Sequence, residues 1–302
     1  MNERIHVGQG LYDGHGMTIF PVWLESAPIS GYCWKPKHIA VSELNEDGVV
    51  NALTVRNTGS RPHFVLEGDI FEGGRQNRVL TRSLVLAHGE SREVPVACVE
   101  EGRWSGAGAH VGGRRRAPIG VRYGMTRTYS RLNSMDYSGW DAGTRVQGHV
   151  WDRIRQHEQQ MGPVSGHSLI ESMDRMESQF LNEESGESLR SLPGQRGVII
   201  GIGGYIATAE FFGHEDGLTS RWDALVTAAR YESMAAPHRR TPGWAARDFA
   251  RSLELTPFGE ELAQPEEFNT PVGPLALSSF SIALGLVHAT VFNGAHPALA
   301  GV

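Results

Sequence analysis

Residues 196–212 read RGVIIGIGGYIATAEFF. Glycines at 201, 203 and 204 sit in an apolar run and invite a dinucleotide-binding reading. The spacing refuses it. The pattern is GIGGY, not G-x-G-x-x-G, and a second β-like run follows the glycines where that motif needs a helix. Two strands around a Gly-Gly turn fit these residues instead.

Upstream, residues 17 to 98 also read as β. MTIFPVWL, HIAVSEL, VVNALTV, HFVLE, RVLTRSLVL and EVPVACV are short runs of β-branched or alternating apolar residues. Turn chemistry separates them: NEDG at 45–48, NTGSRP at 57–62 and HGES at 88–91. Strands of this length and spacing suggest an antiparallel sandwich or barrel. Between this region and residue 196, Val146, Val150, Ile154 and His157 recur at helical spacing from Thr144 to Met161, with Gly162 and Pro163 as the stop. A second helix is predicted near 167–182, with Leu169, Met173, Met176 and Phe180 on one face. Further helices are predicted around Leu218–Ala229 and over 243–253. PLALSSFSIAL and LVHATVF read as a last pair of strands.

The fold class expected is therefore α+β: an antiparallel β-sandwich or barrel-like N-terminal part, then helices, then a mixed α/β part packed on it. The β-rich part spans 1–135 and the helical and α/β part 136–302. No linker divides them, so one integrated unit is expected.

The 302 residues carry a net charge of -6 and a pI near 6.1, so no global basic field advertises nucleic acid. Two cysteines, Cys33 and Cys98, make no disulfide framework. MNERIHVGQG has no apolar signal region, and no window approaches the roughly 18 apolar residues of a membrane span. A cytoplasmic protein without a membrane partner is expected. Only Lys35 and Lys37 are lysines among the 28 Lys and Arg residues.

The segment from 102 to 135 contains no Asp or Glu but holds Arg103, Arg114, Arg115, Arg116, Arg122, Arg127 and Arg131. Rich in glycine and weakly periodic, it reads either as a solvated loop or as a mobile electropositive flap over an anionic ligand.

Thirteen histidines are present, but no H-E-x-x-H or C-x-x-C. His149 and His157 would share a helical face about 12 Å apart, too far to hold one ion directly. Carboxylate oxygens could still hold Mg²⁺, so the cofactor question stays open. There is no G-x-S-x-G and no P-loop. Cys98, followed by acids, reads as a small buried hydrophobe rather than an activated thiolate.

The densest chemistry lies in EGDIFEGGRQNRV, residues 67–79. Gly68, Gly73 and Gly74 permit a loop whose N–H groups could face an anion. Arg75 and Arg78 supply fork-shaped donors, Gln76 and Asn77 read polar edges, and Glu67, Asp69 and Glu72 could act as bases or acceptors. Acids and bases this dense could also simply neutralise one another. A second cluster, Glu100-Glu101-Gly102-Arg103-Trp104, follows another strand. If the two strands leave the sheet together, the clusters meet at one end, with Trp104 either a stacking face or plain core.

TIFPVWL, NALTVRNTGSRPHFVLEGDIFEGGRQNRVL, VPVACVEEGRW and QGHVWDRI resemble, in the same order, the ARPP-1 family, as do the later GVIIGIGGYIATAEFF and LGLVHATVFNG. The ISGYCWKPKH stretch departs from the family pattern. The resemblance marks Glu67, Gly68, Gln76, Asn77, Arg78, Cys98, Glu100, Gly102, Arg103, Trp104, Gln147 and Trp151. It implies a context of ADP-ribose, NAD-derived or phosphorylated nucleotide metabolism, by analogy.

The function expected is a pocket protein for a phosphorylated, nucleotide-like small molecule, with hydrolase or transferase chemistry as its catalytic form. Arg75, Arg78 and Arg103 would hold phosphate, and Gln76 and Asn77 would orient the ligand. Trp104 would stack, Glu67 or Glu100 would act on a water or ribose hydroxyl, and Gln147 and Trp151 would complete the pocket. The rival is a non-enzymatic interaction module whose polar clusters are a buried network. A weaker third reading is RNA binding through the 103–131 arginines.

Overall fold

A computed structural model describes residues 4–104, 106, 109–134, 140–162, 167–181, 189–254, 266–270 and 273–300. The chain opens with β1 (Ile5–Val7), β2 (Leu11–Tyr12) and β3 (Met17–Leu24). Then come β4 (Ile39–Glu43), β5 (Ala52–Asn57), β6 (His63–Val65), β7 (Asp69–Gly73), β8 (Arg78–Leu80), β9 (Leu84–Leu86), β10 (Ser91–Cys98) and β11 (His110–Arg116). Helices α1 (Ile119–Ser134), α2 (Trp140–Met161) and α3 (Leu169–Leu181) follow. After β12 (Gly197–Ile202) and β13 (Tyr205–Phe212) come α4 (Glu215–Thr219), α5 (Trp222–Ser233) and α6 (Gly243–Glu254). The described chain closes with β14 (Glu266–Thr270), β15 (Gly273–Ile282) and β16 (Gly285–Asn293).

The class is α+β, and every pairing between the described strands is antiparallel. Six strands close a barrel in the order β10-β5-β4-β11-β7-β8, and β6 and β9 form a separate ribbon. Eight strands form a sheet in the order β1-β3-β12-β13-β16-β15-β14, with β2 also paired to β3. The opening stretch of residues 196–212 is indeed a hairpin: β12 and β13 pair antiparallel, and Gly203 and Gly204 turn the chain at φ +62 and +96. Two successive positive φ values match the turn whose twist suits a hairpin, and glycine takes them without steric cost.

Strand β3 does not stay with the N-terminal strands. It pairs with β12, Phe20 opposite Ile199, so residues 5–24 complete the C-terminal sheet. Pro21 fits there because β1 covers positions 22–24 and β2 covers 18–19, leaving its missing N–H in the gap between them.

Alternation along β12 buries both faces of the sheet. Ile199 packs with Phe211, Phe249 and Leu253 under α6. Val198 and Ile200 pack with Leu225, Phe212 and Phe64 on the other side. Inside the barrel lie Val41, Leu53, Val55, Phe71, Leu80 and Val96. Outward-facing Ile70, Val79 and Ala97 pack with Val121 of α1, Val150 of α2 and Met173 of α3.

The arginine-rich segment corrects its reading as a flap. Residues 110–116 are a barrel strand and 119–134 a helix. Val121, Tyr123, Met125 and Tyr129 are buried, and so are Arg122, Thr126 and Thr128. Residues 119–126, its first two turns, are buried on every side and so carry no polar stripe, which leaves their periodicity invisible in the sequence. The stretch 67–79 is likewise more regular than a polar connection: Asp69–Gly73 is β7 and β8 starts at Arg78, so only residues 67–68 and 74–77 lie outside strands. The stop at Pro163 and residues 105, 107, 108 and 135 of the arginine-rich segment lie outside the described residues. No described helix is long and apolar enough to cross a membrane.

Candidate functional site

The β7–β8 turn builds one end of the barrel. Gly74 sits at φ +54, and a Cβ there would come 2.1 Å from His110 Nε2, so the turn can lie this close to β11 only with glycine. The Asn77 side chain closes the turn by accepting the Gly73 N–H at 2.7 Å. The Asn77 N–H donates to Glu100 Oε2 at 2.9 Å, and Gln76 Nε2 donates to the Glu100 carbonyl at 3.1 Å. Glu100 thereby joins the two polar clusters of the sequence. Its carboxylate also takes Arg103 Nε at 2.7 Å and Ser168 Oγ at 3.2 Å.

Arg78 stands at the centre. It pairs with Phe71 on one side and Cys98 on the other, and shares the barrel's inner face with Leu80. The side chain is 0% exposed. Nη1 donates to Gln76 Oε1 at 2.9 Å and lies 3.7 Å from Cys98 Sγ. Nε and Nη2 have no hydrogen-bond partner among the described residues. Burial pulls the guanidinium below its ordinary pKa and pushes the Cys98 thiol up. The Cys98 thiol donates to the Glu100 carbonyl, which suits the inert, buried sulfur the sequence suggests.

Trp104, 39% exposed, roofs this end, with the Arg78 and Arg75 guanidinium carbons 5.5 and 5.8 Å from its ring centre. Both distances fall in the cation–π range. Arg75 is tied down through its N–H to Glu43 Oε1 at 2.9 Å. Glu43 also meets His110 Nε2 at 3.3 Å. Neither Glu43 nor His110 was singled out from the sequence, where each is one residue of an ordinary strand.

Gln147 and Trp151 reach this end from α2. Gln147 accepts the Cys98 N–H at 2.7 Å and donates to the Cys98 carbonyl at 2.9 Å, a two-point clamp of helix on strand. Trp151 is half-buried against the core around Val79 and Val150, with Nε1 unpaired among the described residues.

Glu67 does not enter this cluster. It lies beyond the other end of β7, about 13 Å of strand away at ~3.3 Å per residue. There it accepts Arg122 Nη2 at 2.7 Å and Nε at 3.1 Å. Arg122 Nη1 reaches Glu210 Oε2 at 2.9 Å, and His288 Nε2 meets Glu210 Oε1 at 2.8 Å. Arg116 binds both Glu210 and Asp69, and Arg221 Nη2 takes Asp69 Oδ2 at 2.8 Å. Three carboxylates thus face three guanidiniums, all buried, between barrel, large sheet and α1. Burial alone would raise the Asp69 and Glu210 carboxyls, but the arginines outweigh it. They hold Asp69 below and Glu210 well below the usual range. An acid-free arginine run signals that partners exist elsewhere, but not which ones. Arg115, Arg116 and Arg122 are buried and ion-paired, so they are withdrawn from any RNA surface.

Among the described residues no three His, Cys, Asp or Glu stand close enough to hold a metal ion. Two cavities lie elsewhere. One of about 310 Å³ is lined by Arg153, His157, Glu232 and Ala298; one of about 370 Å³ lies beside the β6–β9 ribbon.

Residues 4–275 match the family described as ARG and Rhodanese-Phosphatase-superfamily-associated Protein domain, ARPP-1. Neither a curated protein nor a solved structure matches the chain. The chain belongs to the ARPP-1 family.

Proposed function

We propose that this ARPP-1 chain binds a phosphorylated, nucleotide-like small molecule at the end of the barrel built by Arg78. The observation that carries the reading is the Arg78 guanidinium, fully buried with two nitrogens unpartnered among the described residues. A buried charge with unmade hydrogen bonds costs several kcal/mol, so such a group calls for an explanation, and a role in binding an anion supplies one. Arg75 and Arg103 add positive charge beside it, and the half-exposed Trp104 ring offers a stacking face at the entrance. Gln76 and Asn77 act as positioning residues, since their amides already hold Arg78 and the turn.

The family's name associates it with ARG and rhodanese-phosphatase proteins. Taken as ADP-ribosylglycohydrolase context, this favours ADP-ribose or an NAD-derived ligand. In a catalytic form of the proposal Glu100 is the carboxylate on hand, although both its oxygens already accept hydrogen bonds. Glu67 serves the scaffold. Titration calorimetry with ADP-ribose, NAD and inorganic phosphate, with and without Mg²⁺, tests the reading. Arg78→Ala should weaken binding at least about tenfold, because hydrogen bonds to charged groups are worth roughly 1.5–3 kcal/mol. Unchanged affinity would reject it.

The buried Glu67–Arg122–Glu210 network favours a second reading, in which the polar clusters only hold an interaction module together. In that case no nucleotide raises the melting temperature, whereas a ligand of the folded state must.

A further inference from the structure

Strands β4 and β5 run the length of the barrel, with Glu43 opposite Leu53 at the Arg78 end and Ile39 opposite Asn57 at the other. At that far end the chain enters β4 through residues 32–38 and leaves β5 through 57–61. Between these loops lies the cavity of about 370 Å³, a size that suits a small molecule. Its lining includes Lys35, Lys37, His38 and Arg61, with Asp216 as the single acid. Lys35 and Lys37 are the chain's only lysines. In a protein of net charge -6, no carboxylate among the described residues pairs with Lys35, Lys37 or Arg61, whereas Arg116, Arg122 and Arg221 are all ion-paired.

The frame around these cations is preorganised. Cys33 N–H donates to the Pro62 carbonyl at 2.8 Å, Phe64 N–H to the Cys33 carbonyl at 3.1 Å, and Thr58 N–H to the His38 carbonyl at 2.9 Å. His63 Nε2 holds the Lys35 carbonyl at 2.7 Å. The Asn57 side chain, fully buried, ties the Arg61 carbonyl at 2.8 Å to those of Leu86 and Ala87. Tyr32 lines the cavity with its ring stacked on Phe64 at 4.4 Å. The backbone is fixed while the cationic side chains stay exposed, an arrangement that lowers the ordering cost of binding.

We propose that this far end of the barrel is a second anion site, one that takes a soluble phosphate ester or pyrophosphate through Lys35, Lys37 and Arg61. It stands apart from the Arg78 reading, at the opposite pole and on different residues.

Two lysines make a direct readout available. Reductive methylation of the full chain with ¹³C-formaldehyde keeps the charge and labels Lys35, Lys37 and the α-amino group. Titration with pyrophosphate should move both lysine signals saturably, and equally in Arg78→Ala. In Arg61→Ala the midpoint should rise at least about tenfold. The side chain is exposed and only its carbonyl serves Asn57, so this variant keeps the fold. Lysine signals that stay still at millimolar pyrophosphate, or a midpoint unchanged in Arg61→Ala, overturn the proposal. So do signals that respond only to phosphatidylserine vesicles, which would make the patch a membrane-facing surface instead.

Discussion

The Asn77 N–H donates to Glu100 Oε2 at 2.9 Å and so locks the β7–β8 turn to the segment leaving β10. Both groups are buried, and the same carboxylate holds Arg103 and Ser168. Glu100→Ala leaves the Asn77 N–H buried without its acceptor and removes the carboxylate that Arg103 pairs with. The expected cost is about 2–4 kcal/mol, measured by urea denaturation, with the slope unchanged.

Arg78→Met separates ligand binding from scaffolding. Removing a buried, under-bonded charge in favour of a flexible apolar chain is often neutral or stabilising. Without phosphate or nucleotide, the variant should melt at or above the wild-type temperature while losing the ligand. A fall of several degrees by calorimetry would instead make Arg78 structural.

Breaking the network between barrel and sheet should have the opposite sign. Arg122→Met strands the Glu67 carboxylate in the interior and takes one of Glu210's two guanidinium partners, and about 3–5 kcal/mol of stability should go. The pH dependence follows from Asp69 and Glu210. Their folded-state values lie below the ordinary ones, so their contribution is complete above the unfolded carboxylate range and is lost as pH falls below about 4. Unfolding free energies from pH 7 to pH 2 should fall steeply at the acid end in the wild type and less steeply in Glu210→Gln.

His63 acts at milder pH. Burial, with Arg221 and His38 adding to it, lowers its pKa from 6.5 to about 4. The unfolded chain gains a proton below 6.5 that the folded His63 refuses, so stability falls as pH drops through that window. The loss is about 3.5 kcal/mol at most, at ~1.4 kcal/mol per pH unit. His63→Gln should flatten the stability profile between pH 6.5 and 4.

Thiol accessibility checks the Arg78 end independently. Cys33 is partly exposed and Cys98 buried with a raised pKa. One equivalent of thiol should react quickly with Ellman's reagent in native protein, and the second only on unfolding. Two fast equivalents would mean that the barrel end opens readily.

Much of this architecture was legible in the sequence because period and turn chemistry are local. GIGGY could only be a turn between strands, and Val146, Val150 and Ile154 mark the buried face of α2. The two polar clusters, 67–79 and 100–104, held residues that do meet, Asn77 with Glu100 and Arg78 with Trp104. The helical nature of 119–134 stayed hidden, since its first two turns are buried all round and carry no stripe. Charge pairing was decided by tertiary structure alone. Arg122 finds Glu210 and Arg221 finds Asp69 across 88 and 152 residues. Coulomb attraction acts over ångströms in space and leaves no imprint on spacing along the chain. For the same reason Glu67, a neighbour of the Arg78 cluster in sequence, belongs to the far side of the barrel, where it holds the scaffold together.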